Sequence, residues 1–224
     1  MVRRELINQT LNFAKGHQKF KDIYFKQHEK EFVRLVEEGQ NPQTLFIGCS
    51  DSRIVPDLIL NTKPGDLFVI RTAGNFVPRY QADAADGISA SIQFAVEILN
   101  VRHIIICGHS HCGAIEALFK NTNETGSNSI LERWLKLGQE ARDMTLKTTK
   151  SDTSQQDLCF ITGQISIIYQ LENLLTFPVI KKKVDDGALD LHGWYYHIET
   201  GDVTYYNSEL YQFISLTNMM DNEG

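Results

Sequence analysis

His103-Ile104-Ile105-Ile106-Cys107-Gly108-His109-Ser110-His111-Cys112-Gly113 opens with a short apolar run whose length and β-branching read as a buried strand over 103–107. The segment from Gly108 to Gly113 breaks that run, and residues 114–120 then read as a helix that starts from the break. Working outward toward the N-terminus, the breaker Gly39-Gln40-Asn41-Pro42 precedes a second such run, Thr44-Leu45-Phe46-Ile47-Gly48, which ends on Cys49-Ser50-Asp51-Ser52-Arg53. A helix is expected near 56–60, and the turn Lys63-Pro64-Gly65-Asp66 leads into a strand at 67–71. Residues 84–100 repeat at helical spacing through Ile88, Ile92, Ala95, Val96 and Leu99.

Toward the C-terminus, a loop rich in Asn, Thr, Ser and Gly (121–128) separates the motif helix from helical stretches at 130–146 and 158–175. Residues 188–198 and 203–206, joined by Glu199-Thr200-Gly201-Asp202, read as a hairpin. Spaced apolar positions among charges from Leu6 to Glu38 predict one or two amphipathic helices. Strands alternating with helices imply an α/β fold with a central, mainly parallel sheet. The hairpin adds an antiparallel C-terminal edge strand, helices flank the sheet, and the N-terminus forms a helical arm. One domain is expected over 1–224, with the arm at 1–39 and the core at 40–224.

Composition narrows the function. A hydrophobic fraction of 42% over 224 residues supports a sizeable core. The net charge of -6 and the absence of any basic run longer than Lys181-Lys182-Lys183 argue against a nucleic-acid partner. No run of about 18 apolar residues suggests a membrane span, and no secretory signal pattern opens the chain. Four cysteines in such a chain read as reduced thiols or metal ligands, so a cytoplasmic location is expected.

Function in open α/β sheets gathers at the carboxyl ends of the strands, where both cysteine motifs lie. Cys49, His109 and Cys112 can therefore converge, and two thiolates with one imidazole suit Zn2+, which takes such ligands at about 2.0 to 2.3 Å. Three protein ligands leave a fourth position for water, as in a catalytic site. Two blander readings compete: a lone His-x-x-Cys pair is commonly core packing, and Cys107 could close a structural site as a fourth ligand, although its place in an apolar strand favours the core. Asp51 and Arg53 beside Cys49 are residues that a structural zinc site would not require.

Cys49-x-Asp51-x-Arg53 together with His109-x-x-Cys112 resembles the signature of β-class carbonic anhydrases. The similarity extends to Gln40, to 65–71, to Ala73-Gly74-Asn75, to 105–113 and to His192-Gly193-Trp194, and is densest over 40–117. The resemblance implies zinc-dependent, reversible hydration of carbon dioxide to bicarbonate. Within it Asp51 accepts a hydrogen bond from the hydroxide nucleophile, and Arg53 holds that carboxylate in a bidentate pair. Gln40 and the backbone N–H of Gly113 would bind a substrate oxygen, and Phe68 and Phe94 would wall the gas pocket. A homodimer or dimer of dimers is also implied, with active sites at the interface. One subgroup of the family resembles a switch, in which Asp51 could replace water on the metal in a closed form that bicarbonate stabilises from a separate Trp-Arg-Tyr pocket. Here those positions match Phe46, Arg71 and Tyr196, and the indole donor is missing. Related enzymes of the same fold hydrolyse carbon disulfide or carbonyl sulfide, and a non-catalytic zinc or bicarbonate-binding module is a further alternative.

Overall fold

The protein is described here by a computed structural model covering residues 2–83, 85–120 and 129–218. The loop expected at 121–128 lies outside the described residues. The chain forms two compact units, Met1–Asn41 and Pro42–Gly224.

The first unit is helical throughout. Helix α1 (Val2–Lys19) passes into α2 (Lys26–Glu38) through a π-helical turn at Phe20–Phe25, with helical dihedrals kept at Lys19 and Lys26. The expected arm of one or two helices is thus present as two helices joined without a break. Phe20, Tyr24, Phe25 and Phe32 meet around the turn, with the Phe25 and Phe32 ring centres 5.2 Å apart. The arm ends at Gly39, whose φ of 75° and ψ of -178° are backbone angles that favour glycine and leave the helical path. Ile7, Leu11, Phe13, Val33 and Val36 are exposed along it.

The second unit is built on a six-stranded sheet in the order β2-β1-β3-β4-β5-β6. The strands are β1 (Thr44–Cys49), β2 (Leu67–Thr72), β3 (His103–His109), β4 (Asp190–Tyr196), β5 (Val203–Asn207) and β6 (Gln212–Ser215). The pairs β1–β2, β1–β3 and β3–β4 are parallel, whereas β4–β5 and β5–β6 are antiparallel. The expected antiparallel edge is therefore two strands rather than one, because Leu210 and Tyr211 turn the chain back after β5. The inner strands β1 and β3 carry near-continuous apolar runs because both of their faces are covered. Leu45, Ile47, Ile104 and Ile106 face one side, packing with Ile92, Val96, Ile167 and Phe177, while Phe46, Ile105 and Cys107 face the other. Each fully buried aliphatic or Phe side chain contributes about 1.5–3 kcal/mol relative to exposure.

Helices α3 (Pro56–Leu60), α4 (Gly87–Gln93), α5 (Gly113–Ala117), α6 (Ile130–Leu135), α7 (Gln139–Thr148), α8 (Gln155–Leu175) and α9 (Pro178–Asp185) complete the unit. Helix α8 lies against β3 and β4 so closely that a Cβ at Gly193 would fall 2.8 Å from Ile167. The helix expected at 84–100 starts later, where Asp86 accepts from the amides of Ile88 and Ser89, and continues as a π-helical turn at Phe94–Ile98. The stretch expected at 130–146 divides at a 3-10 turn, Lys136–Gly138, since Gly138 fits under Phe76 where a Cβ would be 2.5 Å from the ring. Helix α9 was not expected. Its signals are Pro178 in the first turn and Lys181 and Lys182 paired outward with Asp185 and Asp186 while Ile180 is buried.

Candidate metal centre

Strands β1 and β3 are parallel neighbours with Gly48 opposite Cys107, so their carboxyl ends lie side by side. Cys49 is the last residue of β1 and His109 the last of β3, which runs two residues beyond the expected 103–107. The chain then turns through His111, whose φ of 55° is left-handed, and brings Cys112 back as the residue preceding α5. The ligand atoms of Cys49, His109 and Cys112 all lie within 4.8 Å of one another, and all three residues are buried. No other group of this kind occurs among the described residues.

The donor set fits Zn2+. The two Sγ atoms are 3.9 Å apart, and thiolates at about 2.3 Å from a tetrahedral ion stand roughly 3.8 Å apart. His109 Nδ1 is 2.8 Å from the Ser110 carbonyl and donates to it, which leaves Nε2 as the nitrogen with the lone pair. That Nε2 is buried with no hydrogen-bond partner, a costly arrangement that a cation relieves. Cys49 Sγ accepts the amides of Asp51 and Gly74, each at 3.4 Å. Contact with the Cys112 thiol, with smaller help from His109 and these amides, lowers the Cys49 thiol below its ordinary value. Binding of a metal ion takes both cysteines as thiolates and releases their protons.

Cys107 belongs to the core. Its Sγ lies 3.5 Å from the Gly108 carbonyl among Phe46 and Ile105, and burial raises the thiol to about 12. Asp51 is likewise outside the ligand group. Its Oδ1 accepts Arg53 Nε at 2.9 Å and the Arg53 amide at 3.0 Å, and its Oδ2 accepts Arg53 Nη2 at 2.7 Å. These bonds hold the Asp51 carboxyl well below the usual carboxylate range.

Two supports escaped the sequence reading. Arg71 donates from Nε to the Cys49 carbonyl at 3.0 Å and from Nη2 to the Asp51 carbonyl at 2.6 Å, which fixes the loop after β1. Trp134 Nε1 donates to the Ala73 carbonyl at 2.8 Å, beside the Gly74 amide that faces Cys49. The quoted Ala73-Gly74-Asn75 was the available signal for the second, while nothing local marks Trp134 as its partner.

Gly113 opens α5, so its N–H precedes the helical bonding pattern, and the space beside its Cα is open. Phe68 and Phe94 pair with ring centres 6.0 Å apart. Phe68 is opposite Leu45 while Thr72 is opposite Cys49, so four residues, about 13 Å of strand, separate Phe68 from the metal end. Gln40 is an exposed residue of the first unit, following α2. His111 points toward Glu199, 3.7 Å away, and both line a cavity of about 590 Å³ with Phe119, Phe160 and Tyr195.

A buried Cys2His cluster at adjoining strand ends of an α/β sheet, with no fourth side-chain ligand among the described residues and an ionised Asp-Arg pair beside it, defines a catalytic zinc protein. The carbonic anhydrase family model matches residues 44–203. A carbonic anhydrase of Synechocystis is 42% identical over 200 residues, covering 89% of this chain and 72% of the relative. The solved structure of the β-carbonic anhydrase CcaA superposes with a TM-score of 0.87 at 39% identity, covering 93% of this chain and 92% of that one. A tetrameric β-carbonic anhydrase of Sordaria macrospora follows at a TM-score of 0.76 and 27% identity, covering 88% and 96%. The chain belongs to the β-class carbonic anhydrases, zinc lyases that interconvert carbon dioxide and bicarbonate, and Zn2+ is its cofactor.

Proposed function

We propose that the chain hydrates carbon dioxide with Asp51 as the orienting group and Arg53 as the residue that keeps Asp51 ionised. The observation that carries this is the two-point grip of Arg53 on Asp51 directly beside the Cys2His cluster. Zinc, when bound, lowers the pKa of water from about 15.7 toward 7, so that hydroxide is available near neutral pH. Cys49, His109 and Cys112 hold the ion. The amides of Asp51 and Gly74 draw charge from Cys49 Sγ, which offsets part of the extra donation of two thiolates. Asp51 would accept a hydrogen bond from the hydroxide and so orient an oxygen lone pair toward the carbon of carbon dioxide; one C=O π bond would open as the new C–O bond forms, giving bicarbonate, with the proton lost from the original water passing to solvent.

Gln40 and the Gly113 N–H would bind a substrate oxygen, and Phe68 and Phe94 would wall a gas pocket. The distance along β2 between Phe68 and the metal end suits a wall supplied to a second copy of this chain. The exposed apolar residues of the arm support a homodimer or dimer of dimers in which arm and core work as one domain. No helix of the described residues is long and apolar enough to cross a membrane. Four free cysteines, two of them in the metal cluster, support a reducing, cytoplasmic setting.

The test is stopped-flow hydration of carbon dioxide together with metal analysis of the wild type and of Cys49→Ser, His109→Ala and Cys112→Ser. One zinc per chain is expected in the wild type, and each variant is expected to lose metal and activity together. Full zinc occupancy in all three would show that the ligands are misassigned.

A further inference from the structure

The turn after β4 grips the two residues between the zinc ligands. Ser110 N–H donates to the Tyr196 carbonyl at 3.0 Å, and Ser110 Oγ accepts the Ile198 amide at 2.9 Å. The same hydroxyl donates to Glu199 Oε2 at 2.5 Å, and His111 Nε2 lies 3.7 Å from that carboxylate oxygen. Ser110 is itself buried, at 4% exposure, and its carbonyl accepts His109 Nδ1–H. The residue whose carbonyl faces His109 Nδ1 therefore has its side chain held by a residue 89 positions later in sequence.

We propose that Glu199, acting through Ser110, is a positioning residue for the zinc ligand His109. A serine hydroxyl that accepts one bond and donates another has its rotamer set at both ends, and with it the backbone of Ser110. With Ser110 fixed, its carbonyl faces Nδ1, the ring proton stays there, and Nε2 keeps its lone pair toward Cys49 and Cys112. Losing the carboxylate frees the hydroxyl to rotate, lets the Ser110 peptide tilt, and admits the other tautomer, which presents a proton where the metal binds. Outer partners of metal-bound histidines are worth about 10- to 100-fold in metal affinity. The inference rests on the zinc assignment of His109, and its tests read the ligand's behaviour rather than turnover alone.

The experiment measures zinc release to a chromogenic chelator from the loaded protein, with the melting temperature recorded alongside and the His109 tautomer read by nitrogen NMR. Glu199→Ala is expected to release zinc about 10-fold faster or more. Glu199→Gln retains an acceptor oxygen and is expected to restore release to within about threefold of wild type. Ser110→Ala should match Glu199→Ala, and the double variant should be no worse than either alone, because the two act in series. Wild-type release in Glu199→Ala, or additive effects in the double variant, would each overturn the proposal. A lowered melting temperature with unchanged release and an unchanged tautomer would also overturn it, since that marks a purely structural turn residue. If His109→Ala retains zinc, the metal assignment fails instead, which is a separate result.

Discussion

Arg53 Nη2 donates at once to Asp51 Oδ2 at 2.7 Å and to the His111 carbonyl at 2.8 Å, so one guanidinium ties the motif after β1 to the turn after β3. Arg53→Ala therefore removes two links. The depressed Asp51 carboxyl should return toward about 4, and the acid limb of the hydration profile should move up in pH with it. The sign is that of a lowered carboxylate: stability from the pair is present above the unfolded value of about 3.9 and is lost as pH falls through the lower folded value. Rate against pH for wild type and variant checks this, and coincident acid limbs would refute it.

Asp51→Asn should retain zinc, because Asp51 is outside the ligand group, yet lose about 10- to 100-fold in turnover. The amide keeps one acceptor oxygen, but its NH2 competes to face the nucleophile and Arg53 loses its carboxylate partner. Metal content measured beside kcat separates the two effects. A wild-type rate with full zinc would end the orienting role.

Bicarbonate should inhibit only as product. Phe46 is buried at 1% exposure and offers no donor, and Arg71 already spends Nε and Nη2 on the carbonyls of Cys49 and Asp51. The absent charge-assisted bond would weaken an anion there by about 1.5–3 kcal/mol, roughly tenfold or more. Hydration kinetics at rising bicarbonate, with a crystal grown in the same anion near neutral pH, provide the check. An anion seated at Phe46, Arg71 and Tyr196 with Asp51 on the metal would contradict this expectation.

Gly74→Ala should damage both stability and the metal centre. The residue has a φ of 78°, and an added Cβ would stand 2.8 Å from Phe76 and 3.0 Å from Ala114. A loss of about 1–3 kcal/mol is expected from strain and crowding, and displacement of the amide that faces Cys49 Sγ should speed zinc release. Denaturant melts and chelator kinetics measure the two parts. Unchanged values in both would show that the Cys49 amide contact is dispensable.

The sequence by itself determined the α/β class, the parallel strands, the arm and the candidate ligands Cys49, His109 and Cys112, with Cys107 open as a fourth. Those follow from short-range chemistry: a β-branched apolar run such as Ile104-Ile105-Ile106 can satisfy its backbone and bury its side chains best as an inner strand, and Cys and His at strand ends are legible one motif at a time. Only the tertiary structure decided that Cys107 belongs to the core while Cys112 belongs to the cluster, because a left-handed turn at His111 swings one thiol to the metal position and the strand keeps the other among Phe46 and Ile105. It also decided the break of the 130–146 stretch at Gly138, the extra strand β6, and the supports from Arg71, Trp134 and Glu199. Apart from β6, which pairs locally with β5, those depend on contacts between residues tens of positions apart, and the physical reason they were hidden is that propensity and periodicity act within a turn or a strand, whereas a hydrogen bond from Ser110 to Glu199 exists only once the sheet has brought β3 and β4 together.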